Sequence, residues 1–141
     1  MVSLGSDHAG FELKSMIIDY LKERGVELVD RGTYSSESTD YPEFAHAVAE
    51  DVGEGACSLG IVICGSANGV AMAANKHEKI RCAICWEKEL AELARAHNDA
   101  NILALPARFI EADKAKEIVG AFMEVEFEGG RHQRRVSKIA L

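Results

Sequence analysis

The chain has 141 residues, 48% of them hydrophobic and 28% charged, the balance of an ordinary globular protein. Its net charge of −7 argues against broad attraction to nucleic acid or to an anionic membrane surface. No apolar run approaches the roughly 20 residues that span a bilayer, and the N-terminus reaches Asp7 too soon for a signal peptide, so a cytoplasmic location is the expectation.

The length prior predicts one domain over residues 1–141, large enough to bury a core without disulfide staples. Five short apolar runs alternate with stretches of helical periodicity. The first run, "VSLGS", leads into "SDHAG", where Asp7 and His8 stand at the start of a predicted helix. In that helix, "FELKSMIIDYLKERG", Phe11, Leu13, Met16, Ile17, Tyr20 and Leu21 can share one face, and Gly25 supplies a stop. "VELVDRG" is the second strand. "TDYPEFAHAVAEDVGEG" follows as a helix, with Thr39 and Asp40 as cap candidates and Pro42 in its first turn.

"LGIVICG" is the third strand, and a helix begins near Asn68. "IRCAIC" reads as a buried strand, so its Cys82 and Cys85 face opposite sides of the sheet and a shared metal is disfavoured. "EKELAELARAHN" is the fourth helix, "NILALPA" the fifth strand and "EADKAKEIVGAFMEVEF" the fifth helix. This alternation predicts an α/β fold of three layers, a doubly wound, Rossmann-like domain around a five-stranded parallel sheet. Ligands of such sheets bind beyond the carboxyl ends of the strands, where strand order reverses. The loops after strands 1 and 3 are the two densest in chemistry, which predicts neighbouring strands 1 and 3 and an order beginning 2-1-3.

The loop "CGSANG" lacks the Walker pattern, the GxSxG elbow and the GxGxxG fingerprint. Backbone amides of small residues at a helix start can hold an oxyanion, and Cys64 at their border would gain acidity and serve as a base. The same six residues also describe a buried cysteine before a tight turn, and the stretch alone leaves both readings open. Asp7 is equally readable as a helix cap. His97 and Asn98, at the end of the fourth helix, offer proton transfer or merely complement a helix dipole. The tail "EGGRHQRRVSKIAL" is a basic island in which Arg131 and Arg135, four apart, can grip one dianion or form a solvated face. Arg108 follows strand 5 at the binding edge.

Taken together, "GSDHAGFELK", "DRGTYSSESTDYP", "VICGSANGVAMAANK", "ARAHNDANILAL" and "EGGRHQRRV" resemble the type B ribose-5-phosphate isomerases. That group also includes galactose-6-phosphate and allose-6-phosphate isomerases. The resemblance implies aldose–ketose interconversion of a sugar phosphate without metal or organic cofactor, in a homodimer with shared active sites that sometimes pairs into tetramers. It places the base at Cys64, with Ser66 and the amides of Gly65, Ala67, Asn68 and Gly69 around an enediolate oxygen. Asp7 would bind sugar hydroxyls beside Tyr41. His97, helped by Asn98, would open the furanose ring. His8, Arg131 and Arg135 would hold phosphate with Arg108, and His97, Asn98 and Arg108 would come from the partner subunit. Ribose 5-phosphate and ribulose 5-phosphate are the default pair. A six-carbon aldose 6-phosphate is the alternative, and a non-catalytic sugar-phosphate-binding subunit a further one.

Three positions depart from the family patterns, and at the first of them Ser66 keeps the hydroxyl of the commoner threonine. The commoner loop reads C-G-T-G-x-G, so Ala67 replaces a glycine, and an alanine there would take a strongly positive φ only under strain. A second branch places a glutamate base just after the loop, where this chain has Val70, leaving Cys64 as the one candidate.

Overall fold

The computed structural model describes residues 1–141. Five parallel strands, β1 (Val2–Ser6), β2 (Leu28–Asp30), β3 (Leu59–Cys64), β4 (Cys82–Ile84) and β5 (Ile102–Pro106), form one sheet in the order β2-β1-β3-β5-β4. The expected 2-1-3 beginning is present, and the reversal of strand order lies between β1 and β3. Their register pairs Val2 with Leu59 and Ser6 with Ile63, so both strands end at the same edge.

The central strands alternate between two apolar cores because successive side chains of a strand point to opposite faces. Ile61, Ile63, Leu103 and Leu105 meet α1 (Phe11–Glu23), α4 (Lys88–Asn98) and α5 (Ala112–Glu124). Val62, Cys64, Ile102 and Ala104 meet α2 (Tyr41–Gly53) and α3 (Asn68–Ala74). Each large apolar side chain so buried contributes roughly 1.5–3 kcal/mol against exposure, before conformational entropy is set against it. Cys82 and Cys85 fall on opposite faces, as the alternation requires. A last short helix, α6 (Arg131–Val136), packs on α4.

Helix α1 ends near Gly25, whose φ of +72° suits only glycine without penalty. Its buried face differs from the apolar pattern. Met16 is 45% exposed, while Lys14 is 1% exposed. The Lys14 ammonium pairs with Asp30 and donates to the Thr33 carbonyl at 2.8 Å, tying α1 to the loop after β2. A charged side chain was buried where the pattern favoured an apolar one because two acceptors converge on it. At the opposite end from the site, Asp51 on α2 accepts from Ser3 Oγ at 2.7 Å and from Arg31 Nε and Nη2 at 2.7 and 2.6 Å. No helix is long and apolar enough to cross a membrane.

Candidate active site

β1 ends at Ser6 and the chain turns at Asp7, whose Oδ1 accepts from the N–H groups of Ala9 and Gly10 at 3.0 and 3.2 Å. Asp7 therefore does cap a short 3-10 turn, His8–Gly10, that leads into α1. Capping uses one carboxylate oxygen, and the residue still lines the cavity described below. His8 is held by a reciprocal pair. Its N–H donates to Thr39 Oγ1 at 3.1 Å, and the Thr39 N–H donates to His8 Nδ1 at 3.2 Å. A backbone N–H can only donate, so neutral His8 carries its proton on Nε2. Thr39 is thus engaged at His8 rather than at α2, and Asp40, at the N-cap of α2, makes no side-chain cap bond.

β3 ends at Cys64, 5% exposed. The Cys64 carbonyl accepts from the Ala107 N–H at 2.9 Å and the Gly65 carbonyl from the Arg108 N–H at 3.0 Å. These bonds continue the β3–β5 ladder past the strand ends and bring Arg108 over the loop, where a methyl group on Gly65 would lie 3.1 Å from its Nη1. Ser66 Oγ accepts from the N–H and Nδ2 of Asn68, both at 3.3 Å. Ala67 has φ of +67° and is fully buried. The alanine does adopt the left-handed backbone that its methyl disfavours; that methyl packs into the core between β3 and α3, which offsets the strain. Helix α3 has 7 residues, so the loop's amides, more than any macrodipole, are what it offers a ligand. A Cβ on Gly69 would lie 2.5 Å from the Tyr41 ring, so glycine is what lets that ring lie against the loop.

These elements enclose a cavity of about 490 Å³ lined by Asp7, His8, Ala9, Tyr41, Cys64, Gly65, Ser66, Gly69, Arg108 and Phe109. Eight of the expected residues, Ala67 beneath the loop included, thus meet Cys64 on one chain. Arg108 needs correction: the resemblance implied that it comes from the partner, and the β3–β5 ladder puts it in the cavity of its own chain. His97, Asn98 and Arg135 do not meet Cys64. They line a separate depression of about 500 Å³ with His132 and the outer face of β4. Arg131 begins α6 and is exposed. His8 and the two tail arginines therefore form no common clamp within one chain. Between the two depressions, and touching both, runs a shallow surface with Ile84, Trp86 and Phe109, the last two 53% and 76% exposed.

Residues 2–139 match the family described as Ribose/Galactose Isomerase. The chain belongs to that family. It is 49% identical over 138 residues to the ribose-5-phosphate isomerase B of Escherichia coli, covering 98% of this chain and 93% of the relative. The structure of Clostridium thermocellum ribose-5-phosphate isomerase B superposes with a TM-score of 0.97 at 51% identity, covering 98% of this chain and 93% of the other. That of Mycoplasma genitalium ribose-5-phosphate isomerase B with bound ribulose-5-phosphate gives 0.94 at 43% identity, covering 98% and 92%.

Sequence patterns of the family left several neighbours unnamed. Phe109 and Ala9 line the cavity, yet an apolar residue in a loop carries no signal of its own. Glu128 and His132 flank His97, with ring centroids of the two histidines 4.1 Å apart and planes 8° from parallel. Burial first, then the neighbouring charges of His97 and Arg131, hold His132 below the usual imidazole value, so it is neutral at pH 7. The other thiols stand apart from the site. Burial pushes Cys57, Cys82 and Cys85 up, which keeps them protonated and unreactive at neutral pH.

Proposed function

We propose that residues 1–141 act as one cytoplasmic sugar-phosphate isomerase domain interconverting ribose 5-phosphate and ribulose 5-phosphate. The observation that carries this reading is the strand-end cavity in which Cys64 stands beside the amide-rich loop and faces Asp7, His8, Tyr41 and Arg108. Removing a proton next to a carbonyl needs a positioned base and donors for the oxygen that becomes negative. In the proposed reaction the Cys64 thiolate takes the proton from C2 of the open-chain aldose, and the electron pair moves onto O1. Ser66 and the amides of residues 65–69 stabilise the enediolate. Cys64 then returns the proton to C1 while the hydroxyl proton on O2 passes to O1, which yields the ketose and regenerates the thiolate. No redox partner is required.

Asp7 receives sugar hydroxyls against Tyr41, and the Nε2–H of His8, set by Thr39, points to a phosphate-donor role with Arg108. The phosphate handle supplies binding energy that orients the reacting carbons. Furanose opening is assigned to His97 with Asn98, and the remaining phosphate contacts to Arg131 and Arg135. Because these groups lie in a second depression, they serve the cavity of a second copy, in a homodimer with two shared sites. The exposed Trp86 and Phe109 beside both depressions supply an apolar surface for that contact.

The test is to follow ribose 5-phosphate in D₂O by NMR, recording ketose formation and deuterium at the exchanging carbon. Cys64→Ala should reduce exchange by about 10²–10⁴-fold while ester binding persists. Undiminished turnover would remove Cys64 as the base. Turnover of allose or galactose 6-phosphate without turnover of ribose 5-phosphate would move the substrate to the six-carbon series.

A further inference from the structure

His97 lies in the last turn of α4 with its side chain 37% exposed and its Nε2 3.7 Å from Glu128 Oε2. That gap is too wide for a hydrogen bond, and no side-chain hydrogen bond holds the ring. Its orientation rests on stacking instead. His132 of α6 lies against it, with ring centroids 4.1 Å apart and planes 8° from parallel. The His132 side chain is only 10% exposed, and its Nε2 lies 3.6 Å from the other oxygen of Glu128.

The main chain brings the second ring to that place. Gly129 and Gly130, at φ of +69° and +58°, fold the segment after α5 back toward α4. The Glu128 N–H donates to the Ala96 carbonyl at 3.0 Å and the His132 N–H to the Gly129 carbonyl at 3.1 Å. Arg95 Nε and Nη1 donate to the carbonyls of Val125 and Ala100 at 3.3 and 2.6 Å, which ties the end of α4 to the same segment.

We propose that His132 is a positioning residue for His97, holding its imidazole in the one plane from which it transfers a proton during furanose opening. The proposal rests on the ring-opening role given to His97 above. Opening moves one proton from the anomeric hydroxyl to the ring oxygen O4 as the C1–O4 bond breaks and C1=O1 forms. His97 carries that proton and is charged in between. A neutral His132 can lie against an imidazolium, whereas a second positive charge at 4.1 Å would repel it. Burial, first among several effects, keeps His132 neutral. Glu128, at the Nε2 edges of both rings, favours the passing charge on His97.

The test compares two reactions of the full chain, both followed in D₂O by NMR. Ribose 5-phosphate must open before it isomerises. Ribulose 5-phosphate has no furanose form, since its 5-oxygen carries the phosphate, so exchange at its C1 needs Cys64 and the loop but no ring opening. His132→Ala should lower kcat on ribose 5-phosphate by about 10–100-fold at nearly unchanged KM, while C1 exchange continues near the wild-type rate. His132→Phe, which keeps an aromatic face, should restore most of that kcat. His97→Ala should show the same split between the two reactions. Equal loss of both reactions in His132→Ala, loss of neither, or no rescue by His132→Phe would overturn the proposal. A KM raised for both sugars at unchanged kcat would assign His132 to the arginines of α6, and would overturn it too. The split in His97→Ala without the split in His132→Ala would leave ring opening standing and remove the positioning. No effect of His97→Ala on ribose 5-phosphate would remove the ring-opening role itself, and the proposal with it.

Discussion

Replacing Ala67 with glycine should leave stability nearly unchanged, although Ala→Gly at a fully buried position ordinarily costs one to two kcal/mol by about the sum of methyl burial and backbone entropy. The reason is the φ of +67° at this residue. Left-handed backbone costs a residue with a Cβ about 1–2 kcal/mol, which glycine recovers. Against that, removing the buried methyl loses about 0.8 kcal/mol, and the freer unfolded chain costs about 0.4–1 kcal/mol. The three contributions sum to between roughly −0.8 and +0.8 kcal/mol, a shift of at most about 4 °C in Tm for a chain of this size. Ala71→Gly, one turn into α3 and 5% exposed, is the control. It loses the methyl and about 1 kcal/mol of helix propensity with no compensating relief, so about 2 kcal/mol in all. Urea or thermal unfolding at matched protein concentration compares the two. A loss of about 2 kcal/mol in Ala67→Gly, equal to that of the control, would refute the claim that Ala67 stores backbone strain.

Arg31, by its bidentate hydrogen bond, holds the Asp51 carboxyl below its ordinary value, against the opposing effect of burial. Its stabilisation is therefore complete above the unfolded value near 3.9 and lost as pH falls through the folded value. Asp51→Asn should cost about 2 kcal/mol at pH 7, and its gap to wild type should narrow in denaturation curves below about pH 4; a pH-independent gap would contradict the pairing. Gly69→Ala forces its methyl into the Tyr41 ring and should raise KM while lowering Tm, by about 1 kcal/mol of overpacking because the half-exposed ring can swing aside. Adding Tyr41→Ala should restore the Tm, and failure to do so would place the clash elsewhere. Arg135→Ala should weaken substrate binding with little change in Tm; an effect on folding alone would remove the tail from phosphate recognition.

Much of this molecule was legible from one sequence because its signals are local. Short β-branched runs separated by amphipathic helices specify parallel strands, and the crowding of polar residues after strands 1 and 3 specifies which two must adjoin. The loop composition from Cys64 to Gly69 likewise announces a close backbone approach, whatever the ligand. Other features depended on distance in space. Lys14 is buried because Asp30 and the Thr33 carbonyl converge on it, and neither acceptor is implied by helical spacing. Thr39 looked like a cap and instead sets the His8 tautomer across 31 positions of sequence.

What the chain determined by itself, then, is the sheet, the 2-1-3 beginning of its order and the residue types that gather at its binding edge, since side-chain periodicity and loop chemistry act over a few residues. Tertiary structure alone decided how those residues divide. The β3–β5 ladder carries Arg108 to the Cys64 cavity of its own chain, while α4 and α6 hold His97 and Arg135 in a separate depression. Which side chains share a site is set by strand pairing and helix docking, contacts between segments far apart in sequence, and no local pattern encodes them.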